Sequence, residues 1–516
     1  MTGGLKRTVC QGAVAALAGL LLHTGTAQSA DLGGNCCADL EERVAELEAT
    51  TVRKGNRRVS LTLSGQVNRS LLYWNDGFQQ DLYAVDNAIS NSRFRMTGRA
   101  TISADVTAGF HMEFDMSFGA RSHQVSQIDD DGFSGSGGIL GGAALGDGIG
   151  GAGDSVISFN QAYWYLESKQ YGRMNLGRLT GSTAGIGIID LSNTGVVANA
   201  QPFLWGGGMI MRNGLGQLAI PGVAPGGTAS GPTLTWSQLC GGPTSGNPPA
   251  STGVFGGAGP YATDCGLHAL DRRDGIMYTS PTWWGFTFGG TYGEDDFWDV
   301  SARYAGEWYG FRLAAGIGYR WFGDREPDIP VPFLAFDQLE DTDRRETIAS
   351  ASVMHLATGL FASASWLQYE YRGTAANELF GLDPSRNRPD TELFWGDIGI
   401  QKNWTGWGNT TFYGEVGKVF DGITGLTATP SGAGTLANTS GLLALGAQGV
   451  VTDSDMTWAG GGMVQTIDAA AMDLYLGFRM YWAGADMGDL GPFDATQIPG
   501  GLENIWYIQG GARIQF

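Results

Sequence analysis

Residues 93–118 read RFRMTGRATISADVTAGFHMEFDMSF. Phe94, Met96, Ala100 and Ile102 fall on one side of an alternating pattern, and Arg93, Arg95, Thr97, Arg99 and Thr101 on the other. Past Ser103-Ala104-Asp105, the apolar set Val106, Ala108, Phe110, Met112, Phe114, Met116 and Phe118 alternates with Thr107, His111, Glu113, Asp115 and Ser117. Side chains on a strand point to opposite faces in turn, so this stretch is a hairpin with one oily and one polar face. Centring the turn on Ala104 sets Arg95 opposite Glu113 and Arg93 opposite Asp115.

The same period continues outward in both directions. Val59, Leu61, Leu63, Val67, Leu71 and Tyr73 alternate with Ser60, Thr62, Ser64, Gln66, Asn68 and Ser70. The chain ends on another such segment, with Trp506, Ile508, Ala512, Ile514 and Phe516 on one face and Tyr507, Gln509, Arg513 and Gln515 on the other. Roughly sixteen segments recur, most near the ~10 residues that cross a bilayer at a tilt. Short connections are expected near 103–105, 168–172, 281–283, 307–309, 357–359, 404–408 and 468–470. Long ones are expected near 75–92, 119–154, 180–272, 322–344, 372–391, 421–454 and 484–502, with a brief exception at 294–297. Short turns on one side and long loops on the other belong to a transmembrane antiparallel β-barrel. Lipid leaves no unpaired edge affordable, so first and last strands must meet. The fold expected is therefore all-β, about sixteen strands, with hydrocarbon outside and water within; eighteen is the alternative if 203–221 adds two more. Aromatic pairs at strand ends (Tyr73-Trp74, Trp283-Trp284, Trp308-Tyr309, Trp321-Phe322, Trp404 with Trp407, Tyr481-Trp482) fit girdles at the membrane surfaces.

Composition agrees. Glycine is 84 of 516 residues, more than twice the usual ~7%, and aromatics reach 11% while charged residues stay at 16%. Residues 1–30 read as a secretory signal, with basic Lys6 and Arg7, the apolar run Ala13–Leu22 and a small-x-small site at Ala27-Gln28-Ser29. Beyond it no apolar run is long enough for a membrane helix. Without Lys6 and Arg7, 29 basic residues face 51 acidic ones, a formal charge of −22, which excludes a nucleic-acid partner. Residues 31–57 are expected to hold a short amphipathic helix with Leu40, Val44 and Leu47 on one stripe, ahead of a barrel spanning 58–516. Of the cysteines left after the signal, Cys240 and Cys265 flank a Gly/Pro/Ser-rich loop and form a candidate disulfide in an oxidising envelope.

The stretches 38–68 (ADLEERVAELEATTVRKGNRRVSLTLSGQVN), 91–100 (NSRFRMTGRA), 189–197 (IDLSNTGVV), 271–308 and the closing strand resemble the porin family of alphaproteobacteria. The resemblance implies a homotrimer of sixteen-stranded barrels in the Gram-negative outer membrane. It also implies a third loop, here about 180–272, folded inward with acidic residues facing basic ones on the wall. Transferred to this chain, the wall arginines are Arg93, Arg95 and Arg99, and the constriction-loop carboxylate is Asp190.

The pore-lining set is thus Arg93, Arg95, Arg99, His111, Glu113 and Asp115, a mixture of signs that sets up a field across a lumen. The function expected is passive passage of small hydrophilic solutes and ions, with outer-membrane lipid and lipopolysaccharide as surroundings. A substrate-selective channel for sugars or carboxylates is the alternative; it would need an aromatic slide on a wet face, and the tryptophans gather at strand ends instead. A barrel enzyme is the weaker one, as no nucleophile elbow or HExxH is present. Gly148–Gly153 has a dinucleotide-like glycine pattern but precedes a strand. Asp129-Asp130-Asp131 with Asp154, and His111, His123, His268 and His355, show no metal spacing. No cofactor or metal is expected.

Overall fold

A computed structural model describes residues 59–117, 121–123, 125–127, 156–219, 234–240, 272–294, 296–322, 343–372, 389–425, 427–428, 440–489 and 494–516. The signal and the helical segment 31–57 lie outside them. Sixteen spanning strands close into one antiparallel barrel among these residues. They are β1 (Ser60–Asn75), β2 in two lengths (Gln80–Asp86 and Arg93–Thr101), β3 (Val106–Ser117), β4 (Val156–Ser168), β5 (Gly172–Thr180), β6 (Arg272–Thr279), β7 (Phe286–Gly293) and β8 (Trp298–Trp308). The second half is β9 (Phe311–Phe322), β10 (Asp343–His355), β11 (Leu360–Arg372), β12 (Thr391–Lys402), β13 (Thr410–Phe420), β14 (Gly449–Ile467), β15 (Met472–Gly488) and β16 (Ile505–Gln515). The two-residue strand Thr427–Ala428 only borders β14.

Each strand pairs with its neighbours in sequence, and β1 pairs with β16 from Gln66↔Gln515 to Asn75↔Trp506. Gly65 and Phe516 then exchange backbone hydrogen bonds at 2.8 and 3.1 Å, so the seam is sealed to the last residue. The oily positions Leu63, Val67, Phe288, Ile317, Ile398 and Phe478 all stand exposed on the outside, where a bilayer covers them. The hairpin that opened the sequence reading has the register expected from its turn, with Arg93↔Asp115 and Arg95↔Glu113.

Two expectations need correction, and the eighteen-strand alternative falls away. The long loop at 75–92 is mostly strand: only 76–79 turn, and Gln80–Asp86 pairs back on β1 from Asn75↔Gln80 to Arg69↔Asp86. Its interruption at 87–92 turns inward, because Asn87 caps a 3-10 turn and donates through Nδ2 to the Val196 carbonyl at 2.8 Å. The stretch 203–219 supplies no spanning strand. It forms a short 3-10 turn and isolated bridges such as Ile210↔Thr235 and Arg212↔Leu218. Finally, the interior is not uniformly wet. Leu72, Ile348, Leu367, Trp395, Val419 and Trp458 are buried on the inner face, in one apolar cluster with residues of the third loop.

The aromatic pairs divide for the same geometric reason. Neighbours on a strand face opposite ways, so Trp74, Phe322 and Tyr481 are buried inside while Trp482 faces out. Only in the short turns do both members of a pair reach the surface, as at Trp308 and Tyr309.

Candidate pore and its inward loop

The polar face of β2 and β3 points into the barrel. Arg95 forms an ion pair with Glu113 through Nε and Oε2, and Arg93 reaches the other oxygen of Glu113 at 3.8 Å. Asp115 takes Arg121 at 3.8 Å. A bulge between Glu113 and Phe114 brings Asn160 in from β4, and its Nδ2 donates to both Glu113 (2.6 Å) and Asp115 (2.9 Å). The two carboxylates are held by partners on three sides. Arg99, opposite Gly109, is exposed and makes no ion pair among the described residues. His111 stacks on Tyr163, ring centroids 5.1 Å apart.

Facing this wall, the third loop leaves β5 and turns into the lumen. Its first turn hangs on Asp299: one carboxylate oxygen accepts from Ser182 N and Oγ at 3.1 and 2.8 Å, the other from Thr183 N and Oγ1 at 3.1 and 2.7 Å. Arg303 donates to the carbonyls of Ser182 (3.1 Å) and Ala184 (2.5 Å). The loop then crosses the inner face of β10 to β16. Ser350 and Ser365 donate to the carbonyls of Ile186 and Gly187, Gln401 to Ser192, Arg479 to Asn199 and Gln201, and Tyr481 to Pro202. Between these anchors Ile186, Val196, Val197, Phe203, Trp205 and Met209 are buried against the apolar part of the wall.

Asp190 does not face the wall arginines. Its Oδ1 accepts from the backbone and hydroxyl of Ser192, both at 2.6 Å, and its Oδ2 from Gly195 N at 2.8 Å, so it braces a turn of its own loop. The acidic-loop, basic-wall opposition that the resemblance implied is absent among the described residues, since Glu113 and Asp115 sit on the same wall as the arginines. Cys240 is disulfide-bonded, and Cys265 lies outside the described residues.

The molecule is thus a closed membrane barrel, polar and charged on one inner half and covered by an apolar-cored loop on the other. A family profile described as Gram-negative porin matches residues 13–483. The chain belongs to that family. This porin resembles several solved structures. They include the anion-selective porin from Comamonas acidovorans (14% identity, 89% of this chain and 100% of that one, TM-score 0.46) and the outer membrane channel DcaP of Acinetobacter baumannii (10%, 90% and 99%, 0.44). In-vitro folded OmpT, an outer membrane protein of Vibrio cholerae, is a third (10%, 90% and 99%, 0.43). No curated protein matches. The porin is an outer-membrane β-barrel channel.

Its inner wall holds residues that the sequence reading did not single out. Tyr163 and Tyr165 face inward on β4, Arg173 lies over the Tyr165 ring at 3.8 Å, and Arg303 lines β8. Because the outward Trp164 and Leu166 that alternate with them are also large and apolar, alternation alone does not reveal which face of β4 is wet. Aromatic groups therefore do reach the wet face. Among the described residues no group of three metal-ligating side chains comes together; the aspartates 129–131 and 154, the 148–153 glycines and His268 lie outside them.

Proposed function

We propose that this porin passes small hydrophilic solutes and ions by passive diffusion, with Arg93, Arg95, Arg99, His111, Glu113 and Asp115 lining the passage. One observation carries the reading: inside the closed barrel the wall from β2 to β8 keeps charged and hydroxyl-bearing residues partly exposed, while the loop is packed on the opposite strands. Fixed charges beside a water-filled path bias which ions enter, and Arg99, lacking a carboxylate partner, tilts that bias toward anions. The resemblance in 38–68, 91–100 and 271–308 extends the proposal to the alphaproteobacterial branch, to a cleaved signal of about thirty residues and to a homotrimer seated among lipopolysaccharide. A substrate-selective channel is the second reading, favoured by the inward Tyr163 and Tyr165.

Planar-bilayer recording of the purified protein tests all of this. Ohmic conductance in steps grouped by threes is the expected result, with the reversal potential in a salt gradient moving toward cations in R99A. A protein that inserts without conducting overturns the proposal.

A further inference from the structure

Among the described residues, Arg99 and Arg173 on the inner wall make no ion pair and keep contact with the lumen, whereas Arg303, also without one, is taken up by the carbonyls of Ser182 and Ala184. Arg99 on β2 is exposed and unpaired, and Arg173 on β5 gives Nε to Asn175 Oδ1 at 2.8 Å while its plane covers Tyr165. Glu167 is in the register next to Arg173 but makes no ion pair with it; Thr107 donates to it at 3.4 Å. The backbones carrying the two arginines are three strands apart, about 14 Å. Gly109 lies between them. A Cβ there would stand 2.4 Å from Tyr165 Cζ and 2.5 Å from its hydroxyl oxygen, so the absence of a side chain lets the tyrosine ring lie down against β3 with Arg173 on its other side. One row further along, His111 and Tyr163 stack at 20° between ring planes, and both stay partly exposed to the lumen.

Simple ions do not need this arrangement. Chloride or phosphate would be drawn by guanidinium alone, and the rings add nothing to their passage. A neutral sugar could lie on a ring but would leave both charges unanswered. Flat rings held against the wall beside unneutralised guanidinium groups match one ligand chemistry: a planar π-system bearing a carboxylate, which stacks on the ring and pairs with the cation. We propose that this patch is a binding site in the lumen for aromatic carboxylates, with the carboxylate at Arg99, the ring on the His111–Tyr163 stack and Arg173 holding Tyr165 flat. The inference rests on the diffusion-channel reading and names the solute class that reading leaves open.

Benzoate, cyclohexanecarboxylate and benzyl alcohol separate the contributions, since the second keeps the charge without the plane and the third the ring without the charge. Added to channels conducting potassium chloride, benzoate is expected to reduce the current saturably. Its half-blocking concentration should lie well below that of cyclohexanecarboxylate, with benzyl alcohol inert. Replacing Arg99 by Ala or Tyr163 by Leu should raise the benzoate value roughly tenfold, the effect of losing one charged hydrogen bond or one stacked ring. Both variants should still open in potassium chloride, R99A with the cation-ward shift given above, and block is read as a fraction of each variant's own current. If Y163L does not fold into a heat-modifiable oligomer, H111A removes the same stack. Equal block by benzoate and cyclohexanecarboxylate, no block at all, or wild-type block in R99A and the stack variant overturns the site. Absence of any potassium chloride steps fails the channel reading instead, and the two failures are seen separately.

Discussion

Arg479 and Glu415 form a two-pronged ion pair inside the barrel, Nε to Oε1 at 2.6 Å and Nη2 to Oε2 at 2.7 Å, with both side chains at 0% exposure. The same guanidinium donates to the loop carbonyls of Asn199 at 2.7 Å and Gln201 at 3.3 Å, so the pair fastens the third loop to the wall. Breaking one side of a buried pair strands the other charge and costs about 3–5 kcal/mol. R479M should therefore lower the heat-modification midpoint sharply and give a larger, noisier conductance, because the loop loses its anchor. R479M with E415L should recover most of the midpoint without restoring the small conductance. A double variant as unstable as R479M would show that the loop carbonyls, not the stranded carboxylate, set the loss.

Where the loop leaves β5, Gly181 sits against Asp299: a Cβ would stand 2.1 Å from Oδ2, which already accepts two bonds from Thr183. G181A should push the loop off its hinge, and D299N should do so more gently, since the amide turns one acceptor into a donor facing other donors. The expected loss for D299N is about 1.5–3 kcal/mol, as for a hydrogen bond to a charged group. Limited proteolysis within the loop, faster in both variants than in the wild type, checks it; unchanged cleavage would place the hinge elsewhere.

The barrel itself was legible because lipid on one side and water on the other write a two-residue period into nearly every strand. Leu63, Val67 and Ser64 needed nothing more than parity. Leu72 and Trp74 did need more: they continue the polar face of β1 yet are buried, since their partner is a loop distant in sequence rather than water or lipid. Likewise, the Arg95–Glu113 and Arg93–Asp115 registers followed from one turn, whereas Asp299, Arg303 and Arg479 act through loop carbonyls, and no local pattern marks a residue for that. Asp190 shows the converse. Its position on the loop was readable, but its hydrogen bonds to Ser192 and Gly195 depend on how the loop bends.

His123, in the loop that follows β3, sits edge-on to Phe203 of the third loop, with Nδ1 shielded from water and without a hydrogen-bond partner among the described residues. Burial, reinforced by neighbouring Arg121, pushes its pKa down to about 3 from the usual 6.5. Between pH 6.5 and 3 the unfolded chain therefore binds a proton that the folded one refuses, so stability contributed here is complete above pH 6.5 and falls as the solution is acidified. The effect is on the order of 2 kcal/mol by the bottom of that window, discounted for partial exposure. H123L should flatten the drop in thermal midpoint across this range; a drop identical to the wild type would assign it to the carboxylates.

The turns Trp284-Gly285 and Tyr309-Gly310 both have positive φ at both residues (50° and 89°; 47° and 82°), the geometry that joins twisted strands with two residues. An aromatic residue is a poor occupant of that backbone region, at about 1–2 kcal/mol per residue. Asn is a far better one, so the turn alone does not explain the aromatic. Both side chains are 95% exposed, next to Trp283 and Trp308 at the same rim, where the membrane interface takes the ring. Y309N should thus stabilise the hairpin in detergent micelles, where ring anchoring is weak, by up to about 1 kcal/mol. In bilayers the same change should lower stability, as the interfacial anchor is gone. Unfolding by urea in the two media, compared for Y309N and the wild type, decides it: a gain in both means the ring does not anchor the barrel.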